Sequence, residues 1–181
     1  MAKAVLDTLT RALPDAIEES GTYVGDEMAV VARSHLVEVL TLLRDHPELQ
    51  MEMLTDLTVV DYLGQTPRFE VVYQLYSITH KHRVRLKVRI DDGKDCWVPT
   101  ATGLWHAANW AEREAWDLYG VRFEGHPDLR RILMYEEFVG HPLRKDYPQN
   151  ARQPLIRRPD APPTDDQTTR LLEHSHDRRL R

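Results

Sequence analysis

The sequence predicts an α+β fold, in which an antiparallel or mixed sheet of about four or five strands packs with helices and an extended C-terminal arm follows. Three observations lead to this prediction. Residues 83–90 alternate between basic and apolar side chains without interruption, as in a strand with one buried face. Two stretches, around 36–43 and 111–118, carry apolar residues at helical spacing. Beyond residue 148 the chain has four more prolines and few large apolar residues, which does not favour a packed core.

The N-terminal residues are predicted to form a helix, a hairpin and a second helix. Residues 3–13 carry apolar residues at helical spacing and end before a proline. Residues 22–32 are predicted to form two short strands that turn at Gly25-Asp26. Ser34 is predicted to cap a helix that ends near Asp45. The buried stripe of that helix is predicted to be Leu36, Val39, Leu40 and Leu43.

The middle of the chain is predicted to contribute three strands. Residues 57–63 and 69–78 are rich in β-branched and aromatic residues. A turn at 79–82 would fold 69–78 back onto 83–90 as an antiparallel hairpin. The basic face of 83–90 lacks interleaved aromatic side chains, so phosphate binding is disfavoured. We expect these side chains to be solvated or to pair with carboxylates of the chain or of a partner.

A third helix is predicted at 110–119. Asn109 and Glu112 have the spacing of a capping box, and Gly120 suits a C-cap. Three charged residues share one arc of this helix, opposite an apolar stripe: Arg113, Glu114 and Asp117. Two interpretations of that arc remain open. It is either a solvated helix face or a fixed scaffold that receives basic residues from a later segment.

The stretch FEGHPDLRRILMYEEFVGHPLRKDYP, residues 123–148, contains one short phrase twice. Gly125-His126-Pro127 precedes Arg130-Arg131, and Gly140-His141-Pro142 precedes Arg144-Lys145. Glycine permits a turn, and proline pushes the preceding residue into an extended conformation. Arginine on extended backbone suits bidentate recognition of carboxylates. We therefore expect an assembly role, with the first basic pair fastening the domain and the second reaching a partner.

Composition excludes several function classes. The net charge of −5 argues against a dedicated nucleic-acid binder. No apolar run is long enough to span a bilayer, and Asp7 and Arg11 interrupt the N-terminal residues before a signal-peptide core could form. We expect a cytoplasmic-type chain that contacts a membrane only through partners. Residues 149–181 hold 7 Lys/Arg against 5 Asp/Glu, and the body holds 17 against 24, so a weakly basic tail follows an acidic body.

The cysteine and histidine content gives no metal or redox signature. The single cysteine, Cys96, cannot form an intrachain disulfide or supply the four thiolates of an iron–sulfur cluster. His80 and His82 form the tightest histidine pair, but no third ligand lies nearby in the sequence. His126 and His141 do not match zinc-ligand spacing. We interpret these histidines as turn or surface residues. Glycine-rich nucleotide-binding fingerprints are also missing.

Residues 108–148 closely resemble a known family. The resemblance is carried by Glu112-Arg113-Glu114, by Asp117-Leu118-Tyr119-Gly120 and by the first phrase from Phe123 to Leu133. These match the signature of the C-type subunit, the 30 kDa subunit family, of proton-translocating NADH:quinone oxidoreductase (respiratory complex I). The second phrase, GHPLRKDYP at 140–148, is similar to the family's continuation.

The resemblance implies a cofactor-free subunit of the peripheral arm of complex I. The FMN and iron–sulfur centres that pass electrons from NADH to quinone would lie in partner subunits. The D-type subunit, which helps form the quinone site, and other peripheral-arm subunits are the expected partners. The chain would be a peripheral protein on the cytoplasmic side of a bacterial-type cell membrane. Its expected organisation is an α+β domain at 1–148 and a tail at 149–181.

No catalytic, cofactor-binding or metal-binding residue is predicted in this chain. The motif positions are instead expected to hold the fold and the interface. They are Glu112, Arg113, Glu114, Asp117, Gly120, Gly125, His126, Pro127, Arg130, Arg131, Gly140, His141, Pro142, Leu143, Arg144, Lys145, Asp146 and Tyr147. An equivalent accessory subunit of a membrane-bound hydrogenase or another quinone-reducing complex is the alternative, and an independent metalloenzyme is a more distant one.

Overall fold

A computed structural model describes residues 4–150, 152 and 153, and it confirms the α+β class. The helices of that part are Ala4–Ala12 (α1), Leu36–Asp45 (α2) and Ala108–Tyr119 (α3). Its strands are Ile17–Tyr23 (β1), Asp26–Val31 (β2), Met53–Asp61 (β3), Phe69–Tyr76 (β4), Arg83–Ile90 (β5), Trp97–Pro99 (β6) and Arg122–Glu124 (β7). Most of the predicted tail lies outside the described residues, so the boundary at 148 stays a prediction.

The main sheet of the described residues is mixed and has five strands in the order β1-β2-β5-β4-β3. Strands β2 and β5 are parallel, and the other neighbours are antiparallel. The predicted hairpin around 79–82 is confirmed, since Phe69 pairs with Ile90 and Tyr76 pairs with Arg83. Strands β6 and β7 form a separate parallel pair that flanks α3 in the sequence.

The core joins the apolar face of this sheet to residues of all three helices. The apolar residues of β5 and the predicted stripe of α2 are all buried there, because each element has one apolar face to cover. Glu27 of β2 fastens α1 to the sheet: the N–H of Val5 donates to its Oε2 at 3.1 Å. Burial raises the pKa of Glu27. In this part of the chain no helix is both long and apolar enough to cross a membrane.

The opposite face of the sheet carries the basic residues of β5, and carboxylates of the same chain pair with them. Lys87 Nζ lies 2.8 Å from Glu70 Oε1, and Arg89 Nη1 lies 2.6 Å from Glu19 Oε1. These partners come from β4 and β1, on the same side of the sheet. Of the alternatives that the sequence left open, pairing with carboxylates of the same chain is the one observed for these two cations.

Several predicted boundaries differ from the structure, and the first strand begins at Ile17 and not near residue 22. Ser34 is not a cap, because it lies in a 3₁₀ turn at Arg33–His35 whose backbone bonds lead directly into α2. The strand predicted at 57–63 is β3, and a bulge between Leu54 and Asp56 hides its start from the alternation rule. The helix predicted at 110–119 begins at Ala108, and Asn109 lies inside it without capping it. The C-cap is as predicted, since Gly120 adopts φ +78°.

Candidate interaction site

The carboxylate of Asp117 is the centre of the site. It is fully buried on α3 and receives the Gly-His-Pro segment, which we define as residues 125–147. Its Oδ2 accepts three backbone hydrogen bonds of 2.8–3.1 Å, from the N–H groups of Ile132, Leu133 and Met134. Its Oδ1 accepts a 2.5 Å bond from Arg131 Nη1. Burial alone would raise the pKa of Asp117, but these donors outweigh burial and lower it.

The charged arc of α3 is therefore a scaffold for the segment, and the solvated-face interpretation is wrong for Asp117. Arg131 also donates through Nη2 to the carbonyl oxygens of Phe138 and Gly140, at 2.8 and 3.1 Å. Arg113 does not pair with Asp117. Its Nε and Nη2 instead donate to the carbonyl oxygens of Arg130 and Arg131, both at 3.2 Å. The periodicity of apolar residues could not predict that the segment covers Asp117, because the segment is irregular and has no repeating apolar pattern.

The second phrase packs against the C-terminal end of α3. A Cβ on Gly120 would lie 2.6 Å from the ring of His141, so this position needs glycine for close approach as well as for its positive φ. His141 Nδ1 donates to the carbonyl oxygen of Asp117 at 2.9 Å. Burial lowers the pKa of His141, which favours the neutral ring. The imidazole is thus a structural donor.

The first histidine has a similar structural role. His126 Nε2 lies 3.2 Å from the carbonyl oxygen of Asn109, and its Nδ1 accepts the N–H of Asp128 at 3.0 Å. Both turn glycines have positive φ, +84° at Gly125 and +92° at Gly140. The predicted glycine turn is therefore present in both phrases, but turns at 127–128 and 142–143 stand where an extended exit was predicted.

An ion network anchors the second phrase to the sheet. Arg68, between β3 and β4, forms two hydrogen bonds to Asp61 at 2.8 and 2.9 Å. The same guanidinium forms two bonds to Asp146, at 2.7 and 3.0 Å, and one to Asp92 at 2.8 Å. Hydrogen bonding to Arg68 lowers the pKa of both Asp61 and Asp146. These charge-assisted bonds fix the end of the segment.

Arg144 extends this network to α3. Its Nε donates to the carbonyl oxygen of Tyr119 at 2.6 Å, and its Nη1 donates to Asp92 at 3.1 Å. Its guanidinium also lies over the ring of Phe69, 5.0 Å from the centroid. The backbone N–H of Lys145, rather than its side chain, donates to Asp61 at 2.8 Å.

The two basic pairs are divided differently from the sequence prediction. Arg131 and Arg144 both point inward, with 14% and 21% of their side chains exposed. Arg130 points outward with 69% exposed and forms its ion pair with the nearby Asp128. Lys145 is also exposed. Each basic pair therefore has one side chain that fastens the segment and one that points outward.

Glu112 is a buried group rather than a cap residue. Its Oε2 accepts from Thr100 Oγ1 at 2.5 Å, and its Oε1 accepts from the N–H of Ala101 at 2.6 Å. Burial raises the pKa of Glu112 to about 7, although both hydrogen bonds act in the other direction. This side chain fixes the loop between β6 and α3 from inside the core.

The other predicted positions lie on or near the surface of the segment and helix. Glu114, Pro127 and Leu143 are exposed, and Pro142 is half-buried. The N–H of Leu143 donates to the carbonyl oxygen of Leu118 at 3.1 Å. The ring of Tyr147 stacks on Phe138 with centroids 6.0 Å apart.

The described residues contain no group of three or more metal-ligating side chains. His80 and His82 stack on each other, and their Nε2 atoms contact the carbonyl oxygens of Pro47 and Leu49 at 3.0 and 2.9 Å. Cys96 is buried, and burial raises the pKa of its thiol to about 11, which leaves it a poor nucleophile. That this chain binds no metal or cofactor stays a prediction.

Sequence reasoning missed Arg68, Asp61 and Asp92 as members of the site. Asp61 bonds to Arg68. The available sequence signal was a charged residue inside an apolar strand pattern, which indicates a buried carboxylate that needs a partner. The bond from Arg68 to Asp146 spans 78 positions, and no local pattern could have joined the two.

Comparison with known proteins agrees with this geometry. The sequence profile described as "Respiratory-chain NADH dehydrogenase, 30 Kd subunit" matches residues 29–153, a range that contains every predicted site position. The C-type NADH-quinone oxidoreductase subunit numbered 2 of Rhizobium etli is 51% identical over 134 residues, covering 74% of this chain and 71% of that one. The C-type subunit of Roseiflexus sp. is 50% identical over 149 residues, covering 82% and 85%. The chain belongs to the 30 kDa subunit family of respiratory-chain NADH dehydrogenase.

Solved structures agree with the membership. A trypsin-resistant fragment of Nqo5 superposes with a TM-score of 0.59 at 32% identity, covering 71% of this chain and all of the fragment. A chain of the archaeal membrane-bound sulfane sulfur reductase superposes with a TM-score of 0.69 at 23% identity, covering 82% and 86%, which shows a shared fold. This member of the 30 kDa family is thus a C-type subunit of complex I, part of the NADH-quinone oxidoreductase enzyme complex.

Proposed function

We propose that this chain is a structural subunit of the peripheral arm, that it binds no cofactor, and that it packs against the D-type subunit, which helps form the quinone site. In this role it supports electron transfer from NADH to quinone, coupled to proton translocation, through FMN and iron–sulfur centres held by other subunits. Its place is on the cytoplasmic side of the membrane, where the complex retains it.

The proposal rests on the hydrogen bonds that the charged motif residues form. Asp117, Arg131 and Arg144 are each committed to hydrogen bonds inside the chain, most of them to backbone groups. Side chains that bond mainly to the backbone of their own chain hold a surface in position. The motif therefore supports a role in building an interface, with the reaction centres elsewhere.

The test is purification of the tagged full chain from native membranes in mild detergent, with identification and stoichiometry of its partners. We expect the D-type subunit and the flavin and iron–sulfur subunits in equimolar amounts. Metal and flavin analysis of the chain after its separation should give substoichiometric values. Recovery of a lone chain from the membranes, or a stoichiometric metal on the separated chain, would contradict the proposal.

A related complex is the second candidate function, and the fold likeness to the membrane-bound sulfane sulfur reductase chain favours it. The same purification separates the two. Partners of a hydrogenase or another quinone-reducing complex, without an NADH-oxidising flavin subunit, would indicate the alternative.

A further inference from the structure

The Gly-His-Pro segment turns two of its charged side chains inward and exposes several of its large apolar ones. Arg131 and Arg144 point into the protein, where they bond to α3 and to Asp92. Of the twelve exposed large apolar side chains of the described residues, four belong to this segment: Leu133 at 57%, Tyr135 at 40%, Val139 at 68% and Leu143 at 46% exposure. A concentration of this kind marks an interaction surface.

The outward side chains are held in place before any partner binds. The ring of Phe138 packs edge-on against Tyr135, with centroids 5.6 Å apart, and stacks on Tyr147 at 6.0 Å. Beneath it, the guanidinium of Arg131 lies 5.7 Å from the same ring. The backbone on either side is fixed by Asp117 and Arg68. A surface ordered in this way loses little conformational entropy on binding, and aromatic residues are frequent anchors of interfaces.

The outward charges decide between the possible occupants. Two exposed cations, Arg130 and Lys145, stand against four exposed carboxylates, Asp128, Glu136, Glu137 and Asp146. Asp146 is paired with Arg68, and without it the outer side still has a net charge of −1. An anionic lipid surface attracts clusters of Lys and Arg, and this face offers none. A second copy is also disfavoured, because a two-fold contact would bring together two faces of the same net negative charge.

We propose that the outer face of the Gly-His-Pro segment is the docking surface for another subunit of the complex. That subunit presents an apolar patch to Leu133, Val139 and Leu143, and an arginine or lysine to the adjacent carboxylates Glu136 and Glu137. Opposite charge at the rim sets the register of such a contact, and the apolar centre holds it. This inference rests on the proposed function as a structural subunit.

Site-specific photo-crosslinking in the assembled complex tests the surface directly. A benzophenone amino acid replaces Val139 in one variant and Val37, an exposed valine of α2 at 43%, in the control. The Val139 variant should crosslink to one subunit, at a peptide with apolar residues next to an arginine or lysine. Adducts of Val139 with lipid or with a second copy, or equal yields of that peptide from both positions, would overturn the inference.

Charge reversal tests the predicted partner chemistry. Glu136→Lys with Glu137→Lys should reduce co-purification of partner subunits by at least about tenfold, since like charges at the rim oppose docking. The matched control is Glu18→Lys with Glu48→Lys, two exposed carboxylates outside the segment, which should co-purify as wild type does. Both proteins should melt within a few degrees of wild type. Normal assembly of the first variant would overturn the surface assignment, whereas failure of the wild-type chain to co-purify would overturn the proposed function itself.

Discussion

Asp117→Asn should release the Gly-His-Pro segment while leaving the sheet folded. The carboxylate faces four donors, three backbone N–H groups and the guanidinium of Arg131. An asparagine of the same shape has only one acceptor oxygen, so its NH₂ group must face some of those donors. Removing one partner of a buried ion pair costs about 3–5 kcal/mol. We expect that loss in the free energy of opening the segment.

Hydrogen exchange is the assay for this prediction. The amides of Ile132, Leu133 and Met134 should exchange faster by about two to three and a half orders of magnitude, since every 1.4 kcal/mol is a factor of ten. Amides of β4 and β5 should be unchanged. Glu114→Gln is the matched control, because it removes one negative charge from an exposed position of the same helix. Unchanged exchange at 132–134 in Asp117→Asn would refute the view that this carboxylate holds the segment.

Three further predictions concern stability. The pKa of Glu112 is raised from 4.5 to about 7. Its contribution to the free energy of unfolding is therefore complete below the unfolded-state pKa near 4.5 and is lost as the pH rises through 7. Urea titrations should therefore show that the free energy of unfolding of wild type falls by up to about 3 kcal/mol relative to Glu112→Gln over that pH range. Parallel curves of unfolding free energy against pH for the two proteins would contradict this prediction. Arg144→Ala should lower the free energy of unfolding by about 3 kcal/mol, whereas Arg130→Ala should change it by less than about 1 kcal/mol because its ion pair is exposed; equal losses would argue against the inward–outward division. Gly120→Ala should lower the free energy of unfolding by at least about 1–2 kcal/mol from its positive φ alone. The ring of Trp116 lies 6.4 Å from that of His141, so displacement of His141 should also change Trp116 fluorescence. A melting curve like that of wild type would contradict the close approach of His141.

The sequence predicted the elements whose side chains follow a simple period. The alternation of residues 83–90 matches β5 from end to end, and the four-residue stripe of α2 is buried as expected. The glycine turns of both phrases were also readable, because glycine before a histidine–proline pair has a direct conformational meaning. The prediction of burial failed where an irregular segment covers a helix face. Asp117 was predicted on the charged arc of the helix and Glu112 as a capping-box residue, and both are fully buried.

The partners of the charged residues could not be predicted from the sequence, for a different reason. Asp117 bonds to residues 14 to 17 positions away, and Arg68 reaches Asp146 across 78 positions. Bonds of this length depend on how the chain returns over α3, which no local pattern encodes. The family resemblance identified the right positions but did not say which of them point inward.

Quinone reductase activity normalised to assembled complex tests the central claim most directly. Membranes from strains carrying Arg130→Ala, Arg144→Ala and Asp117→Asn would be assayed for NADH-driven quinone reduction and, in parallel, for the amount of intact complex and its bound flavin. We predict that activity falls in proportion to assembled complex, so that turnover per flavin equals the wild-type value in every variant. Full assembly with lost turnover in any of them would place these residues in the reaction and contradict a purely structural role.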